Sequence, residues 1–458
     1  MDLPVLAPRR GLGSLFRRGP HDAEILRLAV PAFGALVAEP LFLLGDSAIV
    51  ARIGTIPLGS LGVASQVLIT LVNISIFLAY GTTAAVARQL GAGNRRAAIQ
   101  QGIDGLWLAA GIGVAVLGVG WPLAPFLVHA FGASPAVTAG AVTYLRISLF
   151  GAPAMLTVLA GTGVLRGLQD TRTPLAVAVC ASAVNLVVNA IFVLGLHWGL
   201  AGSAAGTAIV QNAAALVYLT VVGRGARRAG VALRPDGAGV RGAAVAGVSL
   251  VVRTLALQVV LVVTTALAAR MGNDAIAAHQ IAFRIWSLLA LALDAIAIAG
   301  QAITGKYLGA GDVAGARAAT ARMTTWGAVY GVVFGLVILA ARPFLPAVFA
   351  TAPPVTSLLL TVLLIVAAQQ PVAGVVFVLD GVLIGAGDQD YLALAGLATL
   401  AVFGIAAACV LAWHGGLVAL WGAYSVWLVA RFVTLTVRAG GSAWLVTGAV
   451  RRPARSSR

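Results

Sequence analysis

The sequence predicts an all-α polytopic membrane protein, with twelve transmembrane helices arranged as two parallel-repeat six-helix bundles. Four observations carry that expectation. Apolar runs of about 20 residues or more, the length needed to cross ~30 Å of hydrocarbon, recur along the chain. Of its 458 residues 60% are hydrophobic and only 10% charged, against about 25% charged in an average soluble domain. Basic residues gather at alternate ends of the runs, and short segments recur at one fixed offset.

The runs place spans near 25–50, 57–86, 102–128, 137–161, 173–195, 200–222, 243–270, 275–304, 317–341, 354–386, 390–412 and 416–437. The opening stretch, MDLPVLAPRRGLGSLFRRGPHDAE, has no apolar segment followed by a small-residue cleavage site. The first run therefore reads as a retained span and not a removable signal. Arg9, Arg10, Arg17, Arg18 and Arg27 precede span one. Arg88, Arg95 and Arg96 follow span two, and Arg166 and Arg172 follow span four. Arg224, Arg227, Arg228, Arg234 and Arg241 lie between spans six and seven. Lys306, Arg317 and Arg322 follow span eight; Arg438, Arg451, Arg452, Arg455 and Arg458 close the chain. These are 23 basic residues on one side, against Arg52, Arg270 and Arg342 on the other. The bias puts both termini in the cytoplasm. The formal charge of +16 thus reports orientation in a lipid bilayer and excludes nucleic acid as a partner. Cys180 and Cys409 sit inside apolar runs, without metal or disulfide spacing, and read as packing residues.

The repeat supports the span count. ARIG at 51–54 matches ARMG at 269–272, LGAGN at 90–94 matches LGAGD at 308–312, and GVLRGLQD at 163–170 matches GVLIGAGD at 381–388, all at an offset of 218. GLAGSAAG at 199 and GLVALWGA at 416 add a fainter echo at 217. Span one pairs with span seven, so the halves are parallel copies. The expected organisation is a tail 1–24, an N-lobe 25–222, a linker 223–242, a C-lobe 243–437 and a basic tail 438–458. Two such lobes suit alternating access around a cavity; a duplicated scaffold without transport is the other reading.

Polar residues inside the runs are the candidate site. An ionised group at mid-bilayer costs on the order of 2.5–3.5 kcal/mol, so it should face protein or water. Glu39 and Asp46 lie seven residues apart on span one, and seven steps of about 100° return to nearly the same helical face. Pro40 between them removes a backbone hydrogen bond and permits a kink. The pair reads as gating hardware or, alternatively, as acids paired with arginines for packing. Asn185 and Asn189 share one face of span five and fit either a contact with Asp46 or a bound cation, or an interhelical polar contact. Gln66 on span two joins the candidate cavity lining. The second lobe offers Arg253, Gln258, Arg284, Asp294 and Asp380, and span four carries Arg146. These fit structural ion pairs or, with the arginines facing a cavity, anionic or zwitterionic substrates. Ten residues separate Arg284 from Asp294, so those two meet only through tertiary geometry.

No enzyme chemistry is indicated. There is no Walker loop, and His21, His129, His197, His279 and His414 have no partners at metal spacing. LGAGN and LGAGD end spans and do not follow strands, so they do not read as phosphate cradles. No cofactor is implied.

LAVPAFGALVAEPLFLLGDSAIVARIG, GTGVLRGLQDTRTPL and GLAGSAAGTAIVQ resemble the first span, the loop after span four and the sixth span of the multidrug and toxic compound extrusion (MATE) family. EPL followed by a later Asp, LDAIAIAGQAITGKYLGAGD and FVLDGVLIGAGD resemble its DinF-like branch. The similarity runs from about 24 to 437. It implies two six-helix bundles forming a V around a cavity, and export of small organic compounds coupled to inward H⁺ or Na⁺. It also places the family's coupling aspartate on Asp46. Some members carry a further acid near the position of Asn189, and another branch uses an acid in span seven; this sequence has neither, leaving Asp294 and Asp380 as the C-lobe candidates. The expected protein is a monomeric, proton- or sodium-coupled exporter of cationic amphipathic compounds in the cytoplasmic membrane. A flippase for lipid-linked precursors, a sugar-porter-type facilitator and an integral-membrane transferase are the alternatives. The last would need paired acids in a sizeable outer loop, where only Asp274 is found.

Overall fold

The computed structural model describes residues 19–450; the basic residues expected in the tails at 9–18 and 451–458 lie outside them. The helices are α1 (Asp22–Ala51), α2 (Thr55–Ser75), α3 (Phe77–Gly91), α4 (Arg95–His129), α5 (Pro135–Leu149), α6 (Ala152–Gly167), α7 (Arg172–Ala190), α8 (Gly199–Ala229), α9 (Gly237–Arg270), α10 (Asn273–Gly309), α11 (Val313–Ala341), the short α12 (Leu345–Val348), α13 (Pro353–Gly385), α14 (Gln389–Ala412) and α15 (Leu417–Gly440). A π-helical turn, Ile191–Gly195, continues α7. Eleven spans among the described residues are long and apolar enough to cross a membrane, α2–α3 counting as one.

The twelfth is a broken span. The sequence predicts one helix at 137–161; the structure has α5 and α6 meeting at a 55° bend. Phe150 and Gly151 close the end of α5 with bonds to carbonyls three residues back, at 3.2 and 2.8 Å. Pro153 cannot continue the ladder, and Gly151 lies against the backbone of Ala208 on α8. Pro371, at the equivalent repeat position, stays inside the continuous α13.

Elsewhere the repeat governs local geometry. Asn94 caps α4 by accepting from the Ala97 amide at 3.2 Å, and Asp312 caps α11 by accepting from Gly315 at 2.7 Å. A side-chain oxygen at this position satisfies an otherwise unpaired amide of the first turn. Gly93 and Gly311, one residue before each cap, have φ of 74° and 77°, which a Cβ would strain. Gln169 and Gly387 match in the same way, at 65° and 69°. At the 217 offset, His197 and His414 both take left-handed φ, 57° and 51°.

The chain divides into two compact units. One runs from Val30 to Gly247; the other comprises the chain from Val248 onward together with the residues up to Ala29. The first is built by α4 and α3 packing on α6 and α2 on α5; in the second, α10, α11 and α15 pack on α13. Helices extend into both ends of the stretch expected as linker, leaving 230–236 outside helix. Past α15 the chain stays packed: Trp444 is buried, its ring nitrogen donates to Ala439 O at 2.9 Å, and Gly448 N donates to Leu308 O at 3.0 Å.

Close helix contacts rest on glycine. A methyl group at Gly163 on α6 would lie 3.0 Å from Ala79 Cα on α3, and one at Gly381 on α13 would lie 2.7 Å from Ala297 Cα on α10. These two contacts are equivalent at the offset of 218. Gly163→Leu and Gly381→Leu should each lower the detergent-state Tm, at a cost of about 1–3 kcal/mol for overpacking. Gly62→Leu, at a glycine with nothing within 4 Å of the added carbon, should leave Tm unchanged.

Candidate functional site

Asp46 sits in the fourth turn-pair of α1, an acid in an otherwise apolar stretch, and is 3% exposed. Its Oδ1 accepts from Asn189 Nδ2 at 2.7 Å and from Ser203 Oγ at 2.9 Å. The Tyr144 hydroxyl lies among Ser148, Ser203 and Thr207, within electrostatic reach of Asp46. Four helices, α1, α5, α7 and α8, therefore converge on one carboxylate through neutral groups. Among the described residues Asp46 makes no salt bridge.

Asn189 Nδ2 also approaches Thr207 Oγ1, at 3.5 Å. Its Oδ1 is buried without a hydrogen-bond partner, as is that of Asn185 one turn earlier. Gly206 on α8 makes the room for the Asn189 amide, since a methyl there would overlap its oxygen. The π-helical turn begins two residues after Asn189, closed by Leu196 N donating to Ile191 O at 2.8 Å. Such single wide turns are rare and gather at functional sites. Glu39 and Gln66 are exposed and make no side-chain hydrogen bond among the described residues. Pro40 lies inside α1, which stays helical through it and through Pro31.

The second unit holds a separate cluster. Arg253 on α9 engages Asp380 on α13 through both ends of its guanidinium, with Nε donating to Oδ1 at 3.2 Å. Arg431 on α15 donates to the same Oδ1 at 3.3 Å. All three are at least nine-tenths buried. Arg431 packs over Trp427, 5.3 Å from the ring centroid, and feels the charge of Asp294. Arg253, Arg431 and Asp380 thus meet at a cleft lined also by Leu257, Gly396 and Thr399. The charge near Asp294 belongs to Arg431, where sequence spacing had raised Arg284; Arg284 is exposed and makes no ion pair among the described residues. Gln258 is half-buried and makes no side-chain hydrogen bond among the described residues. Arg146 is satisfied locally, donating to Trp121 O at 3.3 Å and lying 4.6 Å from that ring's centroid.

The structure therefore brings Asp46 together with Asn189, and Arg253 together with Asp380, but bonds neither Glu39 nor Gln66 to Asp46. Ser203, Tyr144, Thr207 and Arg431 were not singled out from the sequence. Arg431 alone had a readable signal, a charge inside an apolar run.

The MatE family model matches residues 31–191 and 244–410. The chain belongs to this family of multidrug and toxic compound efflux transporters. DNA damage-inducible protein F of Escherichia coli (strain K12) is 29% identical over 426 residues, 90% of this chain and 91% of that one. Protein DETOXIFICATION 44, chloroplastic, of Arabidopsis thaliana is 30% identical over 403 residues, 84% of this chain and 75% of the relative. A crystal structure of MATE in the bent conformation aligns with a TM-score of 0.83 at 20% identity, covering 94% and 96% of the two chains. This is a multi-pass membrane protein that handles small organic compounds, and its relatives are transporters rather than enzymes.

Removing one partner of a buried ion pair strands the other's charge, at about 3–5 kcal/mol. Arg253→Ala should therefore lower the detergent-state Tm strongly. Arg284→Ala, exposed and without an ion pair, should fall within about 0.5 kcal/mol of wild type by the same melting measurement.

Proposed function

We propose that this chain is a secondary active antiporter, exporting organic, cationic amphipathic compounds against H⁺ by alternating access, with Asp46 as the coupling group. The observation that carries the reading is the environment of Asp46: a buried carboxylate held only by the neutral donors Asn189 and Ser203. Among the described residues no arginine or lysine pairs with it, so its negative state is available to a proton or to a cationic cargo. Ionised Asp46 favours the cargo; protonation from outside removes the charge and weakens that binding. Exchange follows if the two states of the protein differ in affinity for each ligand. A membrane potential contributes about 2.3 kcal/mol per charge per 100 mV, enough to bias exchange more than tenfold.

The second reading replaces the proton with Na⁺. The unpartnered amide oxygens of Asn185 and Asn189 favour it, since they would add neutral oxygen ligands to the carboxylate. By contrast, both oxygens of Asp380 are engaged by guanidinium groups, which supports a coupling site in the N-terminal half. The relation to a bacterial protein of the DinF type supports placement in the plasma membrane, and the basic-residue bias supports cytoplasmic termini. We take the working unit to be a monomer.

Proteoliposomes loaded with ethidium, under separate pH and sodium gradients, test the coupling. Asp46→Asn should reduce gradient-driven export by about tenfold or more, and Ser203→Ala, which removes one donor, by less. Wild-type export rates in Asp46→Asn would take Asp46 out of the mechanism, and the gradient that drives the wild type names the ion.

A further inference from the structure

The chain passes between the two units twice, at Ala29/Val30 and at Gly247/Val248. Those crossings are themselves 218 residues apart, in register with the repeat. Each half therefore begins its first span inside the other half's unit. Asp22–Ala29 of α1 is part of the C-terminal unit, and α9 up to Gly247 is part of the N-terminal one.

Both beginnings are held by polar side chains that the Asp46 and Asp380 clusters do not use. In the first, Asp22 on α1 accepts from Arg322 Nε and Nη2 on α11, both at 2.7 Å. Glu24 accepts from Lys306 Nζ at 2.7 Å and from the Tyr307 hydroxyl at 3.2 Å. Ile25 and Leu28 are fully buried behind them. In the second, Asp104 on α4, also fully buried, accepts at Oδ1 from the backbone amide of Asp236 at 2.8 Å. Asp236 immediately precedes α9, so the carboxylate stands at that helix's amino end, where negative charge is favoured. The other oxygen of Asp104 has no hydrogen-bond partner and points at Gly239, where a methyl would lie 2.9 Å from Asp104 Cγ. Gln100 bridges Asp104 Oδ1 at 2.9 Å and Arg234 O at 3.0 Å, and Trp107 Nε1 donates to Leu233 O at 3.0 Å.

Positions 104 and 322 are equivalent in the repeat. One position in each half thus grips the start of the other half's first span, with a carboxylate in one copy and a guanidinium in the other. Beyond each crossing the hold changes at once. A methyl at Gly247 would meet the Phe77 ring at 2.6 Å, within the N-terminal unit, while Ser249 Oγ donates to Asp390 at 2.6 Å, within the C-terminal one. In α1, Pro31 follows the crossing, and a methyl at Gly34 would lie 2.8 Å from Leu175 Cδ1.

The geometry points to Asp104 and Arg322, with Asp22, as paired clamps that make the crossings at 29–31 and 247–249 the hinges of the transport cycle. The chain links the units nowhere else, so any movement between them is absorbed at these two stretches. With the helix starts gripped, that movement is passed along α1 towards Asp46. The three are positioning residues: they touch no cargo and set the rate at which the cycle turns. This inference rests on the transport reading above.

The test compares Asp22→Arg, Arg322→Asp and their double exchange with Asp104→Ala and Asp104→Asn. Ethidium export from proteoliposomes is measured over a range of concentrations, with equilibrium ethidium binding and Tm in detergent. Each single charge reversal and Asp104→Ala should cut the maximal rate by about fivefold or more, with KM and binding within about twofold. The double exchange should restore at least about half of the rate, and Asp104→Asn, which keeps an acceptor oxygen, should retain most of it. Wild-type maximal rates in the single variants overturn the inference, as does a rate loss matched by lost binding. So does a double exchange that melts like wild type yet stays slow. Hydrogen exchange on Arg322→Ala gives a readout independent of transport: protection should fall at 22–29 and hold at 30–51. Unchanged protection at 22–29 overturns the clamp. Wild-type liposomes that export nothing under either gradient overturn the transport reading instead.

Discussion

In hydrocarbon no hydrophobic effect draws one helix onto another, so the scaffold depends on backbones approaching closely enough for dispersion to act. Here that approach is made over glycine, and it is made twice. Gly163 against Ala79 and Gly167 against Thr83 have their counterparts in Gly381 against Ala297 and Gly385 against Gln301. Gly113 and Gly331 lie likewise against the equivalent prolines Pro153 and Pro371. A stiff frame follows, because small residues at these contacts leave the helices no slack to take up. Polar side chains can then be held inside at fixed distances, as Asp46 is by Asn189 and Ser203.

The frame is duplicated but the polar sites are not. At the repeat positions of Asp46 and Asn189 stand Thr264 and Ala407; at those of Asp380 and Arg253 stand Thr162 and Ala35. Thr264 satisfies itself on Val260 O at 2.7 Å, and Thr162 donates to the Tyr218 hydroxyl at 2.9 Å. Each half therefore carries one charged cluster where its copy carries small or self-satisfied residues. The two clusters also differ in kind. Asp46 meets only neutral groups, whereas Asp380 meets two guanidinium groups. A carboxylate of the first kind can exchange its counter-ion; one of the second kind has it built in.

Much of this was legible in the sequence, because hydrocarbon imposes strong local rules. Span positions followed from apolar length, and the parallel halves from three segments in one register. Asp46 stood out as an acid in an apolar run. What surrounds it did not stand out. Ser203 lies in a run of glycine and alanine that reads as helix packing, and Tyr144 is one aromatic among many. Arg431 was legible as a charge inside the run at 416–437, but its partner Asp380 on α13 was not. The break between α5 and α6 was hidden because residues 137–161 form one long, mainly apolar run; Pro153 and the contact of Gly151 with α8 show why the helix gives way there. The passage of each first span through the other unit has no signature in any local window.

The wide turn at Ile191–Gly195 bears on the history of the chain. Between the paired segments at 163–170 and 381–388 the offset is 218; beyond that turn, at 199 and 416, it is 217. The first copy is therefore one residue longer than the second across this stretch, and a single π-helical turn is a form in which an α-helix holds a surplus residue. The counterpart α14 runs as plain α-helix throughout. One extra residue would rotate everything downstream by about 100° if the helix stayed regular; widening the turn confines that rotation to five residues. The twin halves thus ceased to be interchangeable immediately after the asparagine that holds the buried acid.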